Sequence, residues 1–135
     1  MITAVDTNVL IDVFGADARF GLASANALRA CLNEGAVVAC AAVWSETRSA
    51  FASEEAFVQA MQAIEVAFSA PTGAAATLAG ATRKKYRAAG GKRERVIADF
   101  LIGAHALAQC DRLLTRDRGF YGKYFIALVV LEPSA

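Results

Sequence analysis

Short apolar runs alternate with longer stretches of helical pattern along this chain, and that alternation limits its fold more than any other feature. The runs are Met1 to Val5, "AVVAC", "RLLT" and "FIALVVLEP", the last of which is stopped by Pro133. Parallel strands need crossover connections of a dozen or more residues, which are usually helices. The alternation therefore predicts an α/β sandwich, with helices on both faces of a mainly parallel sheet of four or five strands.

Helical spacing marks the segments between the runs. Apolar residues recur at helical intervals from Asp17 to Glu34, and Gly35 is placed to end that helix. Ser53 is a predicted N-cap, and the helix after it has a predicted apolar face of four residues: Phe57, Met61, Ile64 and Phe68. An alanine-rich helix is predicted from Pro71 to Gly90, and the next helix carries the stretch "ADFLIGAHAL".

Composition excludes several classes of protein. The chain has 135 residues, a net charge of +1 and a hydrophobic fraction of 56%, but its apolar residues form no stretch of the roughly 18 needed to span a bilayer. No secretory signal is visible, and three widely spaced cysteines fit neither a disulfide framework nor a zinc site. We therefore expect a cytoplasmic protein without a membrane partner. With so little net charge, any attraction to nucleic acid must come from local patches.

Four acidic side chains are predicted to meet beyond the carboxyl ends of the strands, where ligands collect in open parallel sheets. Asp6 ends the first run, Asp117 follows "RLLT", and Glu46 and Asp99 lie on predicted helices. Two like charges about 4 Å apart repel by roughly 4 kcal/mol at an effective dielectric near 20. A divalent cation would relieve the repulsion, and an oxygen-only ligand set favours Mg²⁺ or Mn²⁺. Such a site, with one metal or two, could activate water and cut a phosphodiester.

Four further residues are expected to support this site. Asn8 can orient a carboxylate through its amide, and Thr115 offers a hydroxyl two residues before Asp117. Gly103 and Ala106 follow Asp99 by about one and two helical turns. We expect their small side chains to leave room for a metal, waters and a substrate backbone.

Each acidic residue also has a structural interpretation. Asp6 could cap the first helix, Glu46 and Asp99 could be solvated helix residues, and Asp117 could begin a turn or short helix. Asp12 is interpreted as an exposed helix carboxylate.

Two other features are ambiguous or negative. His105, the only histidine, lies six positions after Asp99 and is expected to point elsewhere on the helix. The basic stretch "RKKYRAAGGKRER", with Tyr86 interleaved, fits a phosphate-binding surface and a solvated helix face equally well.

Four motifs together resemble the PIN domain family, and within it the VapC toxins of bacterial toxin–antitoxin systems. The motifs are "VDTNVLID" at Val5 to Asp12, "SE" at Ser45 and Glu46, "ADFLIGAHAL" at Ala98 to Leu107, and "LLTRDRGFY" at Leu113 to Tyr121. The resemblance covers nearly the whole chain and implies one PIN-like nuclease domain over residues 1–135, folded as a three-layer α/β/α sandwich.

The resemblance also implies an activity, a cofactor and partners. It implies an endoribonuclease dependent on Mg²⁺ or Mn²⁺, usually dimeric and inhibited by a VapB-type antitoxin. The catalytic and metal-binding quartet would be Asp6, Glu46, Asp99 and Asp117, with Asn8 and Thr115 in support. Metal-activated water would cleave RNA in line, leaving 5′-phosphate and 3′-hydroxyl ends. Arg116 and Arg118 flank Asp117 and are predicted to contact the RNA backbone.

Two alternative functions remain open. A phosphoryl-acceptor signalling domain also gathers aspartates at strand ends, but here "CAAV" follows the middle strand where an acceptor aspartate is needed. A non-catalytic PIN-like binding module would keep the acidic pocket while acting only through complex formation.

Overall fold

The computed structural model describes residues 1–93 and 95–134, and within them five parallel strands form one sheet in the order β3-β2-β1-β4-β5. The strands are β1 Ile2–Val5, β2 Ala36–Cys40, β3 Val66–Ser69, β4 Arg112–Leu114 and β5 Val130–Leu131. The helices are α1 Thr7–Phe14, α2 Gly21–Glu34, α3 Ala41–Arg48, α4 Glu54–Ala63, α5 Gly73–Ala88, α6 Ile97–Gln109 and α7 Arg118–Tyr124. The predicted α/β class with a parallel sheet is confirmed.

The strand order reverses its direction of growth at β1. The chain builds β1, β2 and β3 toward one edge, and then returns to place β4 on the other side of β1. Ala4 of β1 pairs with Val38 on one side and with Leu113 on the other, and all three strands are apolar and largely buried. In open α/β sheets the crevice for ligands forms at such a switch point, beyond the carboxyl ends of the strands. Here that place is the end of β1 and β4.

The sequence prediction is wrong about the segment that contains Phe68. Helix α4 ends at Ala63, and Glu65 takes a left-handed backbone conformation with φ of 57°, which breaks the helix before strand β3. Phe68 therefore lies on an edge strand, with 52% of its side chain exposed, and not on the apolar face of a helix.

Two element boundaries also differ from the prediction. Strand β5 covers only Val130–Leu131, and Phe125 instead follows helix α7 and is buried. Helix α2 begins at Gly21, because the Asp17 carboxylate accepts the backbone N–H groups of Arg19 and Phe20 in the preceding turn. The alanine-rich helix is confirmed with Thr72 as its N-cap. Among the described helices, none is both long enough and apolar enough to cross a membrane.

Candidate active site

The carboxyl ends of β1 and β4 are joined by a side-chain hydrogen bond. Asp6 follows β1 and Thr115 follows β4, and the Thr115 hydroxyl donates to the Oδ2 atom of Asp6 at 2.7 Å. The backbone N–H of Asp6 also donates to the carbonyl of Leu114 at 2.9 Å. These bonds fix a carboxylate at the switch point of the sheet.

Asp6 serves as a helix cap and is also a buried carboxylate. Its Oδ1 atom accepts the backbone N–H of Thr7 at 2.7 Å, so Asp6 is the N-cap of α1, as the alternative structural interpretation had it. Only 6% of the residue is exposed, and this burial raises the pKa of Asp6 to about 6, although Thr115 and the Thr7 amide act in the opposite direction. Since a cap on a solvated helix end does not need burial, capping alone does not account for this environment.

Asn8 and Thr115 connect the first strand to the loop that carries Asp117. The Asn8 amide nitrogen lies 3.4 Å from both Asp6 Oδ2 and the Thr115 hydroxyl, and its Oδ1 accepts the backbone N–H of Arg116 at 3.1 Å. The Thr115 hydroxyl oxygen accepts the backbone N–H of Asp117 at 3.0 Å. Both residues that the sequence proposed as supports thus contact the acidic site.

Asp99 is the acid that interacts with all three of the others. It lies in the first turn of α6, and its Oδ2 atom accepts the backbone N–H of Val96 at 3.2 Å. Burial raises the pKa of Asp99, and the charges of Glu46 and Asp117 raise it further. The charge of Asp99 in turn raises the pKa of Asp6. Asp99 is therefore repelled by the other three predicted acids around the carboxyl ends of β1 and β4, a place that we call the acidic crevice.

Glu46 and Asp117 each hold a partner inside the protein. The Thr7 hydroxyl donates to Oε1 of Glu46 at 2.7 Å, and Arg95 forms an ion pair with Oδ2 of Asp117 at 2.6 Å. Across residues 1–93 and 95–134, the His, Cys, Asp and Glu side chains form no group of three or more that is tight enough to hold a metal ion. Within this described part of the chain, the acids therefore form no closed metal cage. Carboxylate oxygens of this kind are the donors that Mg²⁺ and Mn²⁺ prefer.

Sequence reasoning missed Tyr121. This residue of α7 is 1% exposed, and its pKa is raised by burial and by the charges of Asp6, Asp99 and Asp117. Its hydroxyl therefore stays protonated among the acids and lowers the pKa of Asp6. The spacing of four residues from Asp117, which is one helical turn, was the available signal.

Arg95 was also missed as a site residue. It lies four residues before Asp99, at the entry to α6, and its charge lowers the pKa of that carboxyl group. Its position in the basic stretch gave no indication that it turns toward an aspartate.

Gly103 does not have the role that the sequence suggested. A Cβ atom at this position would lie 2.5 Å from the Phe125 ring, and both Gly103 and Ala106 are buried. The expectation that these small residues leave space for metal and substrate is therefore wrong for Gly103. Its small size admits the ring of Phe125 against helix α6.

Asp12 and Arg116 form a structural pair. The interpretation of Asp12 as exposed is wrong, because it is only 4% exposed and accepts the Ser24 hydroxyl at 2.8 Å. Arg116 donates to both of its oxygens, from Nε at 2.7 Å and from a terminal nitrogen at 3.0 Å, and stacks over Phe20 with 4.0 Å between the guanidinium carbon and the ring centre. This geometry does not favour the predicted contact of Arg116 with RNA.

Three other residues that the sequence analysis singled out are Arg118, His105 and Tyr86. Arg118 is exposed at the start of α7, and its contact with RNA stays a prediction. His105 is buried and its Nε2 atom lies 2.8 Å from the Ser69 hydroxyl at the end of β3. Tyr86 is buried and donates its hydroxyl to the carbonyl of Lys92 at 2.9 Å, so its ring belongs to the core.

Comparison with known proteins agrees with the fold. Residues 3–126 match the family model described as PIN domain. No curated protein matches the sequence.

Solved structures match over nearly the full chain. The structure of VapBC2 from Rickettsia felis, bound to a DNA fragment from their promoter, matches with a TM-score of 0.76 at 16% identity, covering 99% of this chain and 100% of that one. The structure of VapBC-1 from nontypeable Haemophilus influenzae matches with a TM-score of 0.70 at 18% identity, and the match covers 98% of each chain. A toxin–antitoxin complex from Klebsiella pneumoniae matches with a TM-score of 0.67 at 22% identity, and this match also covers 98% of each chain. At these identities the matches establish the fold.

Proposed function

Because the chain belongs to the PIN domain family, we propose that it is an endoribonuclease dependent on Mg²⁺ or Mn²⁺ and acts as the toxin of a VapBC-type toxin–antitoxin system. The observation that carries the proposal is the buried Asp6 carboxylate at the switch point of the sheet, where Thr115 holds it and the charge of Asp99 acts on it. Burial raises the pKa of both carboxyl groups, and the charge of Asp99 adds to the effect at Asp6. Repulsion of this kind is what a bound divalent cation relieves.

The residues present fit such a cation by their donor chemistry. Asp6 and Asp99 would hold it, and Glu46 and Asp117 would act as further ligands directly or through water. Thr115 and Asn8 would keep the Asp6 carboxylate in a fixed orientation, since both donate hydrogen bonds to its Oδ2 atom. When bound, the metal would polarise water and the phosphate oxygens for cleavage.

Glu46 and Asp117 would have to leave their present partners to bind a metal ion directly. Glu46 is bonded to Thr7 and Asp117 to Arg95, so both carboxylates are already partly compensated. Asp6 and Asp99 lack a charged partner at ion-pair distance among the described residues. We therefore assign the main share of metal affinity to Asp6 and Asp99.

The proposed partners rest on the related structures. Those from Rickettsia and Haemophilus are named as VapBC assemblies, and that from Klebsiella as a toxin–antitoxin complex. We propose by analogy that this chain pairs with a VapB-type antitoxin. That it forms a homodimer and works in the cytoplasm is proposed from the sequence resemblance alone. Copurification with the product of a small neighbouring gene would test the antitoxin partner.

The direct test is cleavage of a mixed RNA substrate by the purified chain, with Mg²⁺, with Mn²⁺ and with EDTA. Wild type should cleave only with metal, and Asp99→Asn should lose at least about a hundredfold in rate if the metal supplies several kcal/mol. Glu55→Gln is the matched control, because Glu55 is exposed on α4 and makes only a weak contact with Gln59. Equal rates for wild type and Asp99→Asn would overturn the assignment.

A further inference from the structure

We propose that Arg95 binds the phosphate backbone of the RNA substrate beside the acidic crevice, held in place by Asp117 and Phe120. This inference rests on the proposed function and deepens it, since it names the residue that receives the substrate.

Two contacts fix the orientation of the Arg95 side chain. One terminal nitrogen is 2.6 Å from Oδ2 of Asp117, and the guanidinium carbon lies 4.2 Å from the centre of the Phe120 ring. Stacking uses the face of the guanidinium group and leaves its N–H bonds pointing outward in the plane. The group is thus preorganised by a salt bridge at one corner and by an aromatic ring beneath it.

Most of the donors of Arg95 are left for another partner. Of the five N–H donors of an arginine side chain, the hydrogen bonds among residues 1–93 and 95–134 use a single terminal nitrogen of Arg95, in its bond to Asp117. The side chain is 31% exposed, so part of it is accessible to a ligand. A planar edge with two parallel donors matches the oxygens of a phosphate group.

Arg95 lies next to the proposed metal ligands. Its ion pair places the guanidinium group beside Asp117, one of the proposed metal ligands, and its charge lowers the pKa of Asp99, four residues further along the chain. Asp117 then contributes by positioning Arg95 as well as by its own negative charge.

The segment before Arg95 carries several exposed Lys and Arg side chains. Lys92 and Arg93 are exposed just before it, and Lys85 and Arg87 lie in the last turn of α5. This segment is held next to helix α7, because the Tyr86 hydroxyl bonds the Lys92 carbonyl and the Tyr86 ring contacts Phe120 with centres 6.2 Å apart. The net charge of the chain is only +1, so this local concentration of positive charge is the feature that would attract a nucleic-acid backbone.

The competing interpretation is that Arg95 only neutralises Asp117 in the absence of metal. Removal of Arg95 would then change metal affinity and stability but leave the affinity for RNA unaltered. The two interpretations therefore separate on RNA binding measured without cleavage.

The experiment measures binding of a fluorescein-labelled single-stranded RNA by anisotropy in EDTA, over a range of salt concentrations. Arg95→Ala should raise Kd about tenfold or more, as expected for lost hydrogen bonds to a charged group, and should lower the slope of log Kd against log salt by about one. Arg29→Ala is the matched control, because it removes one exposed cation from α2 and should change Kd by less than about twofold. Calorimetric titration with Mn²⁺ should show that Arg95→Ala binds the metal at least as tightly as wild type.

Arg95→Ala that binds RNA as tightly as wild type, with the same salt slope, would overturn the inference. If that variant does not fold, Arg95→Lys decides the question, because it keeps the charge but lacks the planar pair of donors. It should bind RNA about threefold or more weakly than wild type, and unchanged binding would count against the inference. Wild type that neither binds nor cleaves RNA would instead contradict the proposed function itself.

Discussion

The hydroxyl of Thr115 donates a 2.7 Å hydrogen bond to Oδ2 of Asp6, joining residues 109 positions apart in the sequence. The same hydroxyl oxygen accepts the backbone N–H of Asp117. The Thr115 side chain therefore links the ends of β1 and β4. It also fixes the backbone of Asp117 relative to the Asp6 carboxylate. The bond also favours the ionised form of Asp6, because it lowers the pKa of that group.

Thr115→Val should shift the pH dependence of RNA cleavage. Loss of the hydroxyl removes a hydrogen bond that lowers the pKa of Asp6, so the acidic limb of the rate profile should move to higher pH, by about half a unit to one unit. Profiles of kcat/KM for wild type and Thr115→Val would show this, with Thr77→Val on α5 as a control. A change in rate without displacement of the acidic limb would count against this role of Thr115.

Asp6→Asn should change the stability of the metal-free protein in a pH-dependent manner. The folded-state pKa of Asp6, about 6, lies above its ordinary value of 3.8. The wild-type carboxyl group therefore favours folding below pH 4, and this contribution is lost as the pH rises through 6. Urea unfolding in EDTA should show that the free energy of unfolding of Asp6→Asn, relative to wild type, increases by about 1–3 kcal/mol between pH 4 and pH 8. A difference that stays constant with pH would contradict the raised pKa.

Gly103→Ala should destabilise the fold. Its Cβ atom would meet the Phe125 ring at 2.5 Å inside the core, and overpacking of this kind typically costs about 1–3 kcal/mol. The double variant with Phe125→Leu should recover part of the loss in thermal unfolding experiments. If Gly103 instead kept space for a metal, Gly103→Ala would weaken Mn²⁺ binding and Phe125→Leu would give no recovery.

Arg116→Ala should be a stability variant more than a variant of RNA binding. Its removal leaves the buried Asp12 carboxylate without its cation, and breaking a buried pair costs about 3–5 kcal/mol, which is an upper value here because the Arg116 side chain is 31% exposed. Asp12→Asn combined with Arg116→Ala should lose less stability than Arg116→Ala alone. Chemical unfolding of wild type and of these two variants would test this, and a fully stable Arg116→Ala would contradict the structural role.

The positions of Asp6, Asn8 and Thr115 could be predicted because they depend on local pattern. Apolar runs marked β1 and β4, and parallel strands bring their carboxyl ends to the same edge of the sheet. A short rule of topology was therefore enough to place residues separated by more than a hundred positions.

Other features depend on contacts that leave no local pattern. Asp12 is buried only because Arg116, 104 positions later, compensates its charge. Strand β3 was hidden because Phe68 continues the helical spacing of Phe57, Met61 and Ile64, while the break is made by an ordinary residue, Glu65, in a left-handed conformation. The approach of Arg95 to Asp117 likewise depends on how α6 and α7 pack.

Calorimetric titration of Mn²⁺ into the purified protein tests the central claim most directly, namely that the acidic crevice binds a divalent cation. Wild type should bind Mn²⁺ more tightly at pH 7.5 than at pH 5, because Asp6, with a pKa of about 6, must lose its proton to act as a ligand. Asp99→Asn should lose most of this binding, and Glu55→Gln should retain it. Equal Mn²⁺ binding by wild type and Asp99→Asn, or no binding by wild type at pH 7.5, would contradict the account.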